Sequence, residues 1–423
     1  MTPMSSHLDE LGEELRQLLR QKADAASASR LDLPLGVRRA RRRLARNAIA
    51  WALALALLAY GAVSAASSLY LAPKPATSPT PPSKQVVATI PIDANPIGIA
   101  VGEGAVWVVH AAQASPPLER GQAAQEPVRG ELSRIDPATN QVIQRIEVGG
   151  DPIDVITAFG AVWVIDRGEP RIVRVDPGTG ALTPIPLPTP TEAAAAADGS
   201  IWASAIDDER VFRIDPVTGD VLAGVTVGYR DYKYVLAVGN QLLVGMGDSH
   251  RLVRIDASTN QVVASVDVLS TGGPSVASFA AADGAIWGAT CIPEPSPPPP
   301  PDVKTSSPCT WEVVRIDPTS GEAVASITVG QEEPEYPPLA GHTSTELGSI
   351  AAGDGSVWVT AGDVITDADG SSVERGRIVQ IDPATNKVVS STEAGGSSIA
   401  VGQGGVWVLS GGLTGAVVVR IEE

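Results

Sequence analysis

Ala161-Val162-Trp163-Val164 is followed by Arg174-Val175-Asp176-Pro177-Gly178-Thr179-Gly180, with Asp176 thirteen residues beyond Trp163. This pair of strings decides the fold because it recurs throughout the C-terminal part of the chain. The Trp position is filled by Trp107, Trp163, Trp202, Leu243, Trp287, Trp358 and Trp407, and the acidic position by Asp136, Asp176, Asp215, Asp256, Asp317, Asp382 and Glu422. Both series have seven members. Uninterrupted copies stand about 40 residues apart, the spacing of a unit that cannot bury its own faces and must stack on a neighbour.

Each copy reads as four strands. Strand A is a run of small residues such as Ser398-Ile399-Ala400-Val401. It reaches strand B through Asp-Gly (Asp198-Gly199, Asp283-Gly284, Asp354-Gly355), the dipeptide that a tight primed hairpin turn favours. Strand B carries the Trp, whose plainest role is to fill the wedge between two sheets. Strand C ends in Ile-Asp-Pro, where the Asp side chain caps a turn, Pro presets φ, and Gly219, Asn140 or Asn386 accepts a positive φ. Strand D alternates, as in Gln261-Val262-Val263-Ala264-Ser265-Val266.

Seven four-stranded units at this spacing predict an all-β, seven-bladed β-propeller. The last repeat ends in a strand C, Val419-Arg420-Ile421-Glu422, while the first repeat-like segment, Val86-Val87-Ala88-Thr89-Ile90-Pro91-Ile92, is a lone strand D. The N-terminal outer strand is therefore expected to complete the last blade and close the ring, which removes two free edges. Strings such as Ala161-Val162-Trp163-Val164-Ile165-Asp166 and Arg213-Ile214-Asp215-Pro216-Val217-Thr218-Gly219 resemble the YVTN-type repeats and the streptogramin (virginiamycin B) lyase-like propellers of bacteria. The resemblance covers residues 86 to 422, and the Gly-His and Trp-Asp signature of WD40 blades is absent. For enzymatic members it implies a magnesium site and a His base on one face of the propeller; no His-Glu cluster of that kind matches this sequence residue by residue.

The parts before the propeller (residues 86–423) differ in character. Residues 1–47 hold 10 Lys/Arg against 6 Asp/Glu, residues 48–72 hold no charge, and the rest holds 21 against 42. Ser6 and Asp9 make a capping box, and Leu8, Leu11, Leu15 and Leu18 follow at helical spacing, so a helix over residues 7 to 23 is expected. Its Leu stripe suits a cytoplasmic helix partner or a membrane surface. Six arginines between Arg38 and Arg46 abut the apolar run. There a basic stretch is a topology signal that puts the N-terminus in the cytoplasm. Trp51 and Tyr70 bracket about 29 Å of helix, close to the roughly 30 Å of a bilayer core. Residues 48–72 thus read as one transmembrane helix, with a signal peptide cleaved after Val63-Ser64-Ala65 as the alternative. Residues 73–85, with five prolines, read as an extended stalk of about 40 Å. The expected location is the plasma membrane, single pass, with the propeller extracytoplasmic.

Cys291 and Cys309 flank a loop containing Pro297 to Pro301. In an oxidising compartment a disulfide is the simplest reading, contributing about 3 kcal/mol by loop closure; free thiols or a metal pair are the alternatives.

In a propeller, A–B and C–D turns share one end, and B–C loops and D-to-A crossings share the other. The long segments are Ala111 to Glu131, Ala289 to Thr310 and Ala361 to Gly376, all B–C loops, and Gln331 to Leu347, a crossing. All project from one end, which is the expected functional face. Three positions beyond each Trp stand His110, Asp166, Ala205, Met246, Thr290, Ala361 and Ser410. His110 and Glu192 are the candidate catalytic residues, and Asp151, Asp154, Asp166, Lys233, His250, His342 and Glu346 the candidate ligand-binding ones. Asp154, Glu192 and Glu346 are the candidate set for a hard divalent cation, Mg or Ca, that oxygen donors favour. The plainer account is that loops are polar and this chain is acidic throughout. Asp367-Ala368-Asp369-Gly370 imitates part of a calcium loop, but Ile365 stands where the first ligand belongs and Gly376 where the bidentate Glu belongs.

No nucleophile elbow, phosphate-binding Gly loop or zinc spacing is present. The acidity excludes nucleic acid as the natural partner. Two functions are expected from these features: a module binding an extracellular protein, glycan or small ligand through the insertion-bearing face, or a divalent-metal-dependent lyase or lactonase at the channel mouth.

Overall fold

The computed structural model describes residues 82–93, 95–112, 129–206, 208–228, 232–246, 251–267, 276–293, 309–331, 343–366, 372–412 and 415–422. The helix expected over residues 7 to 23, the apolar run 48–72 and the stalk up to residue 81 lie outside them. The Asp367-Gly370 motif does too.

Among the described residues, β1 (Val86–Ile92) is followed by blade 1, made of β2 (Pro96–Gly102), β3 (Ala105–His110), β4 (Gly130–Asp136) and β5 (Gln141–Gly149). Blade 2 is β6 (Pro152–Ala158), β7 (Ala161–Asp166), β8 (Arg171–Val175) and β9 (Leu182–Pro186). Blade 3 is β10 (Thr191–Ala197), β11 (Ser200–Ala205), β12 (Arg210–Ile214) and β13 (Val221–Thr226). Blade 4 is β14 (Tyr232–Val238), β15 (Gln241–Met246), β16 (Arg251–Asp256) and β17 (Gln261–Asp267). Blade 5 is β18 (Val276–Ala282), β19 (Ala285–Pro293), β20 (Cys309–Ile316) and β21 (Ala323–Gln331). Blade 6 is β22 (Thr343–Gly353), β23 (Ser356–Thr366), β24 (Ser372–Asp382) and β25 (Lys387–Glu393). Blade 7 is β26 (Ser398–Val401), β27 (Val406–Gly412) and β28 (Gly415–Ile421), with β1 antiparallel to β28 as its fourth strand. The chain is a seven-bladed β-propeller, closed as the sequence predicts.

The core is not central. It is divided into seven clusters, each built from two neighbouring blades. Trp107 packs with Val155, Val162 and Val164 of the next blade, and Trp163 packs with Ala194, Ile201 and Ala203. Every Trp of the series is fully buried, and five of them donate Nε1–H to the carbonyl five residues earlier at 3.0–3.3 Å. That bond satisfies the one polar atom of an otherwise apolar wedge. Where Leu243 replaces Trp, Phe279 of the following strand A packs against it. Strands A crowd the axis, and small residues are required there: a Cβ on Gly102 would collide with Thr157 of the adjacent blade.

The turns follow the sequence reading. Asp198, Asp283 and Asp354 take φ of 46–48° and the glycines after them 67–72°. Asp136, Asp176, Asp215, Asp256, Asp317 and Asp382 each accept the N–H two residues on. Hydrogen bonds to the carboxylate hold all six below the ordinary Asp value.

Strand D departs from the expected alternation. In six blades it carries a bulge opposite strand C, and the extra residue is Val87, Ile143, Leu222, Val263, Val324 or Val389, all exposed. Blade 2 has no bulge, but β9 contains Pro184 and Pro186. Strand D is the free edge of each sheet, and bulges and prolines both block pairing with another chain.

Two expected loops begin and end in strand. Blade 6 extends to 11-residue strands, with Ala361–Thr366 paired to Ser372–Arg377, and the blade 5 hairpin runs through Pro293 and Cys309. The β-branched Val364-Ile365-Thr366 favours continuation of the ladder. Finally, Pro82–Gln85, expected to be part of the stalk, hydrogen-bonds to blades 6 and 7.

Trp202→Ala is expected to lower stability by about 3–5 kcal/mol, as for other large buried aromatics, read from the guanidinium unfolding midpoint. A loss under about 1 kcal/mol would show that the indole does not hold the wedge.

Candidate functional site

Strands A begin, and strands B end, at the end of the ring that carries the insertions. In register, Pro96 faces His110, Pro152 faces Asp166 and Thr191 faces Ala205. Six of the seven strands A, all but β26, also have an irregularity just inside this end, as at Pro96/Gly98, Pro152/Asp154 and Tyr232/Tyr234. Such bulges re-aim side chains, and the residues displaced here are those nearest the channel mouth.

Asp154 is the most unusual of them. It lies on β6, half-buried. Its Oδ1 accepts the Val155 N–H at 2.8 Å. A Cβ on Gly98 of blade 1 would stand 3.2 Å from that oxygen, so the glycine makes room for the carboxylate. Burial pushes its pKa up to about 6, against a smaller downward pull from the Val155 hydrogen bond. A carboxyl that titrates near neutrality beside a channel is suited to proton exchange or to a ligand that supplies a positive charge.

Glu192 lies on β10 and acts electrostatically on Tyr234 of blade 4, whose hydroxyl is raised first by burial and then by Glu192. Tyr234 meets Phe279 of blade 5 edge to face, ring centroids 5.5 Å apart. Strands A thus carry carboxylates on blades 2 and 3 and aromatic rings on blades 4 and 5.

His110 is buried, its Nε2 3.0 Å from Ser133 Oγ, itself fully buried. Asp166, one blade on, is also buried and bound within its own hairpin. Arg171 donates to its Oδ2 at 3.1 Å, while the N–H groups of Asp151 and Gly168 donate to Oδ1 at 3.1 and 3.0 Å. Asp151 in turn pairs with Arg167 at 3.3 Å. The structure therefore brings Asp151, in the crossing from β5 to β6, together with Asp166 at the start of the B–C turn. Lys233 lies in β14, and Glu346 in β22 opposite Gly362. Their side chains, and His250 and His342 entirely, are outside the described residues. Cys291 and Cys309 stand on paired strands, opposite Trp311 and Pro293 respectively. Among the described residues no group of three or more His, Cys, Asp or Glu side chains is placed to hold a metal ion.

Sequence reasoning missed Gly98, Ser133, Tyr234 and Glu131. Glu131, raised chiefly by burial and next by Asp93, joins Arg145, which also pairs with Asp93. No signal in one repeat points to these residues, because their partners lie in another strand or blade.

No protein-family model and no curated protein matches the chain. Among solved structures it is similar to hydrazine synthase of Kuenenia stuttgartiensis, at 12% identity and a TM-score of 0.51 over 83% of this chain and 99% of that one. It is also similar to the WD40 β-propeller domain of Doa1, at 12% identity and a TM-score of 0.51 over 80% and 97%. At that identity the likeness shows the propeller fold alone.

Asp154→Asn keeps an acceptor for Val155 and removes the charge. Because the folded-state pKa is raised, Asp154 contributes stability below its unfolded value of about 4 that is lost as pH rises through 6. The variant is therefore expected to gain stability relative to the parent between pH 4.5 and 7.5, measured as urea midpoints. A difference that does not change with pH would show the carboxyl to be freely solvated.

Proposed function

We propose that this chain is a membrane-anchored, extracytoplasmic propeller of the YVTN or streptogramin lyase-like type that binds a protein, glycan or small ligand through its insertion-bearing end. The observation that carries this reading is the asymmetry of the ring. One end is closed by A–B turns of two residues, four in blade 7, and Asp-capped C–D turns of four or six residues. At the other stand the extended hairpins of blades 5 and 6, and the described strands that border residues 113–128, 294–308, 332–342 and 367–371 end there. Variable segments on a rigid scaffold are where recognition is usually built. Propellers are versatile in function, so the fold is compatible with this reading without specifying a partner.

The anchor rests on sequence: six arginines, 25 uncharged residues and a proline-rich linker precede the ring. The pairing of Cys291 with Cys309 belongs to the same extracytoplasmic reading. A lyase or lactonase reading has Asp154 in its favour, a carboxyl able to exchange a proton near neutral pH at the channel mouth.

Replacing the four insertion segments by short turns is expected to abolish binding of a partner captured on the intact ectodomain, with the unfolding midpoint nearly unchanged. Binding that survives all four replacements would place the recognition surface elsewhere.

A further inference from the structure

At four of the seven seams, a strand-C arginine ties one blade to the next. It stacks on the Trp of its own blade, at 5.3 Å for Arg213 on Trp202, 5.4 Å for Arg315 on Trp287 and 4.9 Å for Arg420 on Trp407. It then donates into the C–D turn of the following blade. Arg213 reaches Ala257 O and Asn260 Oδ1, Arg254 reaches Pro318 O, Arg315 reaches Pro383 O and Asn386 Oδ1, and Arg420 reaches Pro137 O and Asn140 Oδ1. Arg134 and Arg174 occupy the same place and stack on Trp107 and Trp163.

Blade 7 cannot receive such a latch, because its strand D is β1 and no turn joins β28 to it. In blade 6 the arginine is correspondingly replaced by Gln380. Its amide stays within the blade, donating to Ser356 Oγ at 3.0 Å and accepting from Ser390 Oγ at 2.9 Å. Trp358 of the same blade has a buried Nε1 without a hydrogen-bond partner, unlike its five bonded counterparts. The two blades are packed through Trp358, Ile378, Ile399, Val406 and Ile421, and among the described residues no strand-C arginine hydrogen bond crosses this seam.

Residues just before β1 occupy the gap. The Glu422 N–H donates to Gln85 O at 3.0 Å, in place of the missing turn. The Ser391 N–H donates to Pro82 O at 3.0 Å, the Lys84 N–H to Thr392 Oγ1 at 2.9 Å, and Thr392 Oγ1 to Lys84 O at 3.3 Å. Ser391 and Thr392 belong to β25, the outer strand of blade 6.

We propose that Pro82–Gln85 is a strap that fastens the seam between blades 6 and 7, doing for this interface what the arginine does at four others. The strap is continuous with β1, the closing strand. Cutting or displacing the segment ahead of β1 therefore loosens blades 6 and 7 first and leaves blades 2 to 4 as they are. The linker is a control point for ring closure as well as a spacer.

Hydrogen exchange on the full chain tests this. Thr392→Val removes both bonds to Lys84, and Lys84→Pro removes the N–H donor from the other side. Each variant is expected to exchange roughly fivefold faster in β1, β25 and β28, as the loss of about one net hydrogen bond predicts, with β10–β13 unchanged. Arg213→Gln is the comparison, loosening blades 3 and 4 while sparing the seam. Parent-like protection at the seam in both strap variants, or faster exchange spread evenly around the ring, would overturn the proposal.

Discussion

Everything in this molecule depends on the wedge between neighbouring blades. A four-stranded sheet exposes two apolar faces, and no blade here has a private core. Trp107, Trp163, Trp202, Trp287, Trp358 and Trp407 fill these wedges from one side, and Val, Ile and Ala side chains of the next blade meet them from the other. Because each wedge needs two blades, the set is satisfied only when the last blade meets the first. Ile90 of β1 lies in the wedge that joins blade 7 to blade 1, together with Trp407, Val418, Val106 and Val108. Closure is therefore a hydrophobic event as well as a matter of backbone pairing.

Much of this was legible because it is written with a period. The Trp and Asp series, the Asp-Gly turns and the split last blade can each be read within one repeat or by comparing repeats. The parts that could not be read involve partners in different repeats. Arg213 looks like any solvated arginine until Asn260 is found beside it. Gln380 looks like drift until the blade after it proves to lack an Asp-Pro turn. The strand-D bulges were hidden because an inserted Ile or Val at position 143 or 263 extends an apolar run instead of breaking it. The blade 6 hairpin was read as loop because its charged and glycine residues outweighed Val364-Ile365-Thr366.

The candidate site divides in the same way. Its location, at the ends of strands A and B on the insertion-bearing face, followed from topology. Its chemistry did not. His110 and Asp166 occupy equivalent positions in adjacent blades, but the structure gives each a partner in its own blade, buried Ser133 for one and Arg171 for the other. Asp154 was one acid among many in sequence. It is distinguished by what surrounds it: a glycine in the neighbouring strand, a single N–H donor, and limited access to water. Desolvation of that kind is a property of packing, which a repeat pattern cannot encode.

If the wedges are satisfied only in a closed ring, the propeller must fold as one cooperative unit, and closure must depend on β1. The most direct measurement is equilibrium unfolding by Trp fluorescence of the chain from residue 82, compared with the same chain lacking residues 82–92. The account predicts one sharp transition for the first and loss of cooperative unfolding for the second, with blade 1 and blade 7 tryptophans exposed. A shortened chain that kept the same single transition and midpoint would contradict it.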